Sequence, residues 1–139
     1  MTVYSKSFRI KTKADGGMAD VTEYVAGIVA ASEVKDGIAV VFCPGSTGAI
    51  STVEYEPGLM KDIPAALERI APSEIPYEHH KTWGCDNGRS HVRATLIGPS
   101  LTVPVKNKQL TLGTWQQIVF IELDTRSRER ELLVSVIGE

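Results

Sequence analysis

One polar segment, Tyr77–His91, holds all three histidines of the chain and one of its two cysteines. Within it, His79, Cys85 and His91 follow one another at intervals of six residues. Imidazole nitrogen and thiolate sulfur are the ligands that zinc prefers, and three protein ligands plus a water form the pattern of catalytic zinc sites. The segment therefore predicts a zinc site at His79, Cys85 and His91. Three neighbouring side chains could add a fourth ligand, a carboxylate behind the ligands or a general base: Glu78, Asp86 and Asn87.

The alternative for this segment is a solvated loop whose histidines cap turns and whose Trp83 packs on the core. Glycines on both sides of Cys85 would let such a loop fold back, because glycine adopts backbone conformations that other residues avoid. We therefore predict that His79 and His91 converge in one partly open pocket. The predicted neighbours of this pair, within one subunit or across a subunit boundary, are Cys85 or Asp86, and Gln116.

A second candidate is the loop Cys43–Gly48, with the sequence Cys-Pro-Gly-Ser-Thr-Gly, which follows an apolar run. Glycines and hydroxyl side chains after a buried strand can present backbone N–H groups to a phosphate. The loop has no lysine and does not match GxxxxGK[ST], so an ordinary strand-ending turn is the alternative. We interpret Cys43 as a small buried hydrophobe and not as a nucleophile, since it belongs to no CxxC pair.

Three further polar places are candidates for the site or for the surface. Glu54 is either an exposed strand carboxylate or a site residue. In the block around Trp115, the indole is predicted to lie in the core and Gln116 could hydrogen-bond a site histidine. The alternating arginines of the range 126–130 are interpreted as a solvated turn and strand edge and not as a nucleic-acid patch.

Composition places the chain among ordinary globular domains. Its 139 residues are 42% hydrophobic and 23% charged, which predicts a single domain over residues 1–139 with a sizeable core. Fifteen basic and 17 acidic residues give a net charge of −2, so nothing electrostatic favours nucleic acid or an anionic membrane as a partner. No apolar run approaches the ~18 residues of a membrane span. Since the first residues also lack the apolar region of a secretion signal, we expect a cytoplasmic protein.

Two helices are predicted in the first half of the chain from apolar spacings of three and four residues. The first covers Val21–Ser32, with Asp20 and Glu23 in the positions of a capping box. The second lies near Leu59–Ala71. Because proline is tolerated only near the first turn of a helix, its start could instead have Asp62 as N-cap and Pro64 just inside.

The remaining elements are predicted to be short strands. Alternation from Tyr4 to Ile10 and the apolar run Ile38–Cys43 predict two of them. Five more are predicted after residue 90, at Val92–Ile97, Leu101–Val105, Gln109–Leu112, Ile118–Leu123 and Leu132–Ile137. Short strands with tight turns favour antiparallel pairing. The predicted fold class is therefore α+β, an antiparallel β-sandwich-like subunit with two helices.

Several blocks of the sequence together resemble one known family. The blocks are Tyr77-x-His79, Trp83, Asn87-Gly88-x-Ser90-His91-Val92-Arg93-Ala94, Gly98-Pro99-Ser100, Val103-Pro104, Leu112-Gly113-Thr114-Trp115-Gln116-Gln117-Ile118 and Glu54-Tyr55-Glu56-Pro57. They are similar to the YjbQ-like family, also called the secondary thiamine-phosphate synthase family. The similarity covers nearly the whole chain, and the Ser-His and Gly-Thr-Trp-Gln blocks are specific in combination.

This resemblance implies a YjbQ-like fold, in which a β-sandwich-like α+β subunit assembles as a homotrimer about a threefold axis. It also implies a site around the family's histidines that often bears a metal, and a weak thiamine-phosphate synthase activity in some members. The positions that match the family's motif are His79, Asn87, His91, Gln116 and Glu54.

Two departures from the family pattern concern this site. Many members have His-Thr-Thr/Ser-Ala where this chain has Gly45-Ser46-Thr47-Gly48, so one site histidine of the family is missing. Many members also have an acidic residue at the position of Cys85, whereas here the carboxylate of Asp86 comes one residue later. The resemblance therefore implies a metal site that is altered, that has a softer ligand set suited to zinc, or that is absent.

Three functions follow as hypotheses. The first is a thiamine-phosphate synthase type of enzyme, which joins a pyrimidine diphosphate to a thiazole phosphate. It needs the diphosphate charge neutralised by Mg²⁺ or by side chains such as Lys81, Arg89 and Arg93. The second is a metal-assisted hydrolase or lyase with zinc held by the His79–His91 segment. The third is a trimeric protein that binds a small phosphate-bearing ligand without turning it over.

Overall fold

The computed structural model describes residues 1–139 and contains eight strands and four helices. The strands are β1 (Thr2–Lys11), β2 (Gly17–Asp20), β3 (Gly37–Phe42), β4 (Gly48–Val53), β5 (Ser100–Lys106), β6 (Gln109–Leu110), β7 (Gln117–Glu122) and β8 (Glu129–Gly138). The helices are α1 (Thr22–Ala31), α2 (Pro57–Ile70), α3 (Glu78–Trp83) and α4 (Gly88–Ile97). None of these helices has the length and apolar character needed to cross a bilayer.

The strands form two sheets in which every pairing is antiparallel. The five-stranded sheet has the order β1-β8-β3-β5-β6, and the three-stranded sheet has the order β2-β7-β4. In the first sheet Val41 of β3 lies opposite Val134 of β8, and in the second Ile50 of β4 lies opposite Phe120 of β7. These four buried side chains belong to one core between the sheets. The predicted α+β class with antiparallel sheets is confirmed.

Strand β7 is the middle of the molecule because both of its faces are covered. Its even-numbered residues Ile118 and Phe120 face the core between the sheets, whereas Val119 and Ile121 join a second cluster with Leu67 of α2 and Ala94 of α4. A strand buried on both faces needs a continuous apolar run, which is the pattern that β7 shows. The smaller sheet therefore lies between the larger sheet and helices α2 and α4, whereas α1 contributes Val25 and Val29 to the core between the sheets.

Helix α1 lies close to its predicted position, but its predicted capping box is wrong. Asp20 Oδ1 accepts hydrogen bonds from the N–H and the hydroxyl of Thr22, at 3.0 and 2.6 Å. The N-cap position is held by Val21, whose side chain makes no cap bond, and Glu23 makes none either. Asp20 thus stabilises the turn that enters the helix. The hydroxyl oxygen of Thr22 also accepts a hydrogen bond from the N–H of Ile118 in β7.

Helix α2 begins earlier than predicted, and the start at Asp62 is wrong. The carboxylate of Glu56 accepts from the N–H groups of Gly58 and Leu59, and Pro57 takes the first helical position. Proline is favoured there because its missing N–H would have no partner in any case. The helix continues through Pro64, which lies in its interior.

Two helices in the second half correct the predicted strand at Val92–Ile97. That stretch is part of α4, whose buried side includes Ser90, Arg93 and Ala94. This spacing is helical, but two of the three residues are polar, so apolar periodicity could not reveal it. Helix α3 likewise replaces a stretch that had been interpreted as loop.

Gly48 tests the packing between the two sheets. A Cβ at this position would lie 2.6 Å from Cζ of the buried Phe120 ring, whereas a Cβ at Gly27 on the exposed side of α1 meets nothing within 4 Å. We expect Gly48→Ala to lower the free energy of unfolding by about 1–3 kcal/mol through overpacking. The matched Gly27→Ala should raise it by about 0.5–1 kcal/mol through helix propensity. Urea unfolding at equal protein concentration measures both, and a neutral or stabilising Gly48→Ala would contradict the packing described.

Candidate functional site

Helices α3 and α4 form a tight corner that fixes the histidine segment. Helix α3 ends at Gly84, whose left-handed backbone (φ +63°) turns the chain toward α4. The N–H of Gly88, the first residue of α4, donates to Nε2 of His80 at 3.0 Å. A Cβ at Gly88 would meet the ring of Tyr77, so glycine permits this close approach. His80 therefore has a structural role as the acceptor at the start of α4.

The corner brings His79 of α3 and His91 of α4 side by side, with ring centroids 4.4 Å apart and planes inclined by 53°. Both rings are half-buried. Burial lowers the pKa of His91 below its usual value, and the positive charge that His79 can carry lowers it further, against the opposing effect of Asp124. His91 is thus held toward its neutral form, in which one ring nitrogen donates and the other accepts.

A small cleft joins His91 to the second candidate segment, the loop Cys43–Gly48. The cleft has a volume of about 140 Å³ and is lined by Gly45, Ser46 and Gly48 on one side and by His91 on the other. Pro99 also lines the cleft, and its carbonyl accepts a hydrogen bond from Cys43 N–H at 2.9 Å. The two segments that the sequence singled out separately therefore face each other across one cleft.

The loop leaves consecutive backbone donors free. The N–H groups of Gly45, Ser46 and Thr47 donate to no protein acceptor, while the carbonyl of Thr47 accepts from Leu123 N–H at 3.0 Å. Gly45 has φ +119°, a conformation that residues with a Cβ rarely adopt. Successive free N–H groups in a turn of this kind form an anion-binding concavity.

A buried ion pair lies behind the loop. Arg130 of β8 donates through Nε and Nη2 to the two carboxylate oxygens of Glu122 of β7, at 2.8 and 2.6 Å. Its Nη2 also donates to Thr47 Oγ1 at 2.8 Å, and Thr47 Oγ1 donates to Asp124 at 3.2 Å. The hydrogen bonds to Glu122 raise the pKa of Arg130 despite burial of the guanidinium. The ion pair thus anchors Thr47, and with it the loop.

Two neighbouring groups behave as burial and hydrogen bonding require. Burial of Asp124 opposes ionisation, but bonds from Thr125 N–H and Arg128 outweigh it and lower the pKa of this carboxyl. Burial raises the pKa of the Cys43 thiol, against the effect of Arg130. The neutral, buried thiol matches the interpretation of Cys43 as a small hydrophobe.

The predicted zinc ligands do not come together in one chain. No group of three or more His, Cys, Asp or Glu side chains is placed to hold a metal ion. Cys85 is half-buried in the turn between α3 and α4, and Asp86 is exposed, with its Oδ1 3.4 Å from Thr125 Oγ1. The spacing of six residues assumed a folded-back loop, whereas helix α3 imposes its own geometry on this segment. The side chains present therefore do not fit zinc or Mg²⁺ within the subunit.

Glu54 and Gln116 lie at the opposite end of the three-stranded sheet from His91. The register pairs Gly48 with Glu122 at one end of β4 and β7 and Val53 with Gln117 at the other, roughly 17 Å away at the usual rise per strand residue. The amide of Gln116 bonds to Gly113 N–H and Thr52 Oγ1. One subunit therefore does not bring Gln116 or Glu54 to the histidines, and contact across a subunit boundary stays a prediction.

Other candidates also have definite places. The buried Oδ1 of Asn87 has no hydrogen-bond partner. The three cations considered for a diphosphate are already paired: Lys81 with Glu78, Arg89 with Asp15 and Arg93 with Glu68. The predicted core position of Trp115 is wrong, since its side chain is 73% exposed, and the loop alternative that packed Trp83 on the core is wrong in this respect, since Trp83 is 74% exposed.

Sequence reasoning missed Arg130 and Glu122, although a signal for both exists. Arg130 shares its even register with the buried residues Leu132 and Val134 of the same strand, and this register points into the core. Glu122 likewise continues the even register of Phe120. A charged residue at the inward position of each of two buried strands is the pattern of a buried ion pair.

An antiparallel α+β protein in which one histidine of a close pair shares a cleft with a glycine-containing loop is the class defined by this fold and cleft. The family model described as UPF0047 protein YjbQ-like matches residues 6–139, and the chain belongs to this family.

Relatives from archaea and bacteria span the same length. The chain is 40% identical over 139 residues to a UPF0047 protein of Methanothermobacter thermautotrophicus, covering all of this chain and 95% of the relative. It is 31% identical to the UPF0047 protein YugU of Bacillus subtilis, covering 96% of this chain and 98% of the relative.

Solved structures show the same fold. A YbjQ-like protein of unknown function from Sulfolobus solfataricus matches with a TM-score of 0.92 at 34% identity, over 99% of this chain and 98% of the other. A hypothetical protein from Aeropyrum pernix matches with a TM-score of 0.89 at 34% identity, over 97% and 98%. Family membership therefore establishes the fold and leaves the reaction to be inferred from the site.

The histidine pair makes a prediction for titration. We expect the pKa of His91 to lie below the ordinary value of about 6.5, and His79→Gln to raise it, because the neighbouring charge disappears while burial remains. Lys81→Gln, on the exposed side of the same helix, should leave it unchanged. NMR titration of the imidazole signals measures all three pKa values. A His91 pKa at or above the ordinary value would contradict the described environment.

Proposed function

We propose that the cleft between the loop Cys43–Gly48 and helix α4 binds the phosphate groups of a small substrate. The observation that carries this proposal is the set of free N–H groups at Gly45, Ser46 and Thr47, in a loop whose Gly45 and Ser46 line a cleft together with His91. Backbone N–H groups recognise phosphate without a side-chain charge, as they do in other turn-based anion sites. The unpaired hydroxyl of Ser46 adds a further donor at the same wall.

The reaction we propose is coupling of the thiamine-phosphate synthase type. The nitrogen of a thiazole phosphate forms a bond to the methylene carbon of a pyrimidine diphosphate, and the bond from that carbon to the diphosphate oxygen breaks. Diphosphate leaves with the bonding electron pair. The loop N–H groups hold the departing diphosphate, and the neutral ring of His91 donates one further hydrogen bond to it, as in electrostatic stabilisation of a developing anion.

The geometry favours this proposal over one of the two other hypotheses. A zinc-dependent hydrolase or lyase is disfavoured, since no three ligands converge in the chain. A protein that binds a phosphate-bearing ligand without turnover would use the same cleft, so only an assay of product separates the two. A cytoplasmic setting, in which Cys43 and Cys85 stay reduced, remains our prediction for where the protein acts.

Release of pyrophosphate tests the proposed reaction. We expect the wild-type protein to release pyrophosphate from the pyrimidine diphosphate only when thiazole phosphate is present. His91→Gln and Ser46→Pro, which remove a ring donor and a backbone donor, should each reduce kcat about 100-fold. Ser127→Ala, at an exposed position outside the cleft, serves as the matched control. If the wild type binds the pyrimidine diphosphate but releases no pyrophosphate when thiazole phosphate is present, the proposed reaction is rejected. The protein would then be a binding protein.

We further propose that the chain assembles as a homotrimer. The outer face of the five-stranded sheet supports this, because it exposes an apolar group. Phe42 and Leu133 lie opposite each other on β3 and β8 and are 42% and 41% exposed. Ile38, paired with Ile137, continues the same face. Contact with other copies would bury this apolar surface, as closed symmetric assemblies do.

Light scattering tests the assembly. We expect a mass three times the 15.1 kDa of one chain at micromolar concentration. Leu133→Glu should shift the mass toward that of the monomer, because it puts a charge in the apolar face, whereas Lys61→Glu on the exposed side of α2 should not. A wild-type mass near 15.1 kDa would contradict the trimer.

A further inference from the structure

The largest cavity of the protein lies away from the histidine cleft and shares no residue with it. Its volume is about 500 Å³, and it lies where the turn between β1 and β2 meets the start of α2. Pockets for small organic ligands usually measure about 300–1,000 Å³. The cavity is therefore large enough for an organic molecule, and it is more than three times the volume of the histidine cleft, which measures about 140 Å³.

One wall of the cavity carries two cations without partners. Lys11 and Lys13 both line it, and neither forms an ion pair or a side-chain hydrogen bond. The acidic residues nearest in the fold are already engaged, since Glu129, opposite Lys11, binds Arg9, and Asp15 binds Arg89. Both lysines that line the cavity are thus free to pair with an anion, because no carboxylate of the chain forms an ion pair with either.

The other wall is apolar and held in place. It is formed by Met18, Ala19, Tyr55 and Met60. The hydroxyl of Tyr55 donates to the carbonyl of Met18 at 3.2 Å, which ties the start of α2 to β2. Methionine and tyrosine provide contact surface for an alkyl or aromatic body.

The turn between the walls is fixed to the centre of the protein. Gly16 N–H donates to the carbonyl of Glu122 at 2.6 Å, and Asp15 N–H donates to the carbonyl of Asp124 at 2.9 Å. Thr12 Oγ1 donates to the carboxylate of Glu122 at 2.7 Å. The cavity is therefore formed before any ligand enters, which reduces the entropy lost on binding.

We propose that this cavity is a second binding site, specific for a small amphipathic organic anion. Its carboxylate or phosphate group would lie at Lys11 and Lys13, and its apolar body would lie against Met18, Met60 and Tyr55. A ligand that uses both walls must have a charged group and an apolar body. The lysine ammonium groups bind the anion, and the methionine side chains contact the apolar body. This site is independent of the proposed function of the histidine cleft.

Titration with phenyl phosphate, followed by ¹H–¹⁵N NMR of the full chain, tests the proposal. We expect shifts of the amide signals of Gly16–Ala19, with an affinity about tenfold higher than those of phenol and inorganic phosphate. The double variant Lys11→Gln/Lys13→Gln should lose about tenfold in affinity for phenyl phosphate. The double variant Lys6→Gln/Lys35→Gln removes the same charge from exposed positions outside the cavity and should bind as the wild type does.

Residue-resolved shifts separate this site from the histidine cleft. Shifts confined to Gly45–Gly48 would overturn the second site while supporting the phosphate loop. Equal binding by the two double variants would overturn it as well, because the lysines would then contribute nothing specific. Met60→Gln supplies a third measurement, and an unchanged preference for phenyl phosphate over inorganic phosphate in that variant would reject the apolar wall.

Discussion

The buried pair of Arg130 and Glu122 is the interaction on which the arrangement of the site depends. It joins β8 of the larger sheet to β7 of the smaller one, with both side chains almost fully removed from water. Burying two charges is costly unless every donor and acceptor is used. Here the guanidinium reaches both carboxylate oxygens and Thr47 as well. Removal of one partner from such a pair costs about 3–5 kcal/mol, so the geometry behind the loop is strongly determined.

The loop Cys43–Gly48 inherits its shape from this pair. Thr47 is held from behind by Arg130 and by Asp124, and its carbonyl is used by Leu123. The N–H groups of Gly45, Ser46 and Thr47 have no acceptor within the protein. A Cβ at Gly45 would lie 3.1 Å from Nη1 of Arg130, in addition to the strain of its positive φ. Arg130 in its paired position thus favours glycine at residue 45. A loop that is held in place in this way needs no reorganisation when an anion binds.

The sequence predicted the parts of the fold that local apolar spacing controls. Helix α1, the strands β1, β3, β5, β6, β7 and β8 and the α+β class follow from such spacing, and the proximity of His79 and His91 follows from their short separation. Helix α4 escaped because its buried side contains Ser90 and Arg93. The meeting of His91 with Gly45 depends on contacts between distant segments, which periodicity does not encode. Arg130 was interpreted as surface, although its register with Leu132 indicates the core.

The central claim is that the loop donors and His91 form one phosphate site, and a crystal structure with inorganic diphosphate tests it most directly. The account predicts diphosphate oxygens within hydrogen-bonding distance, about 2.7–3.2 Å, of the backbone nitrogens of Gly45, Ser46 and Thr47. It also predicts a ring nitrogen of His91 directed at the same ligand. Diphosphate bound elsewhere on the protein, with these three N–H groups bonded only to water, would contradict it.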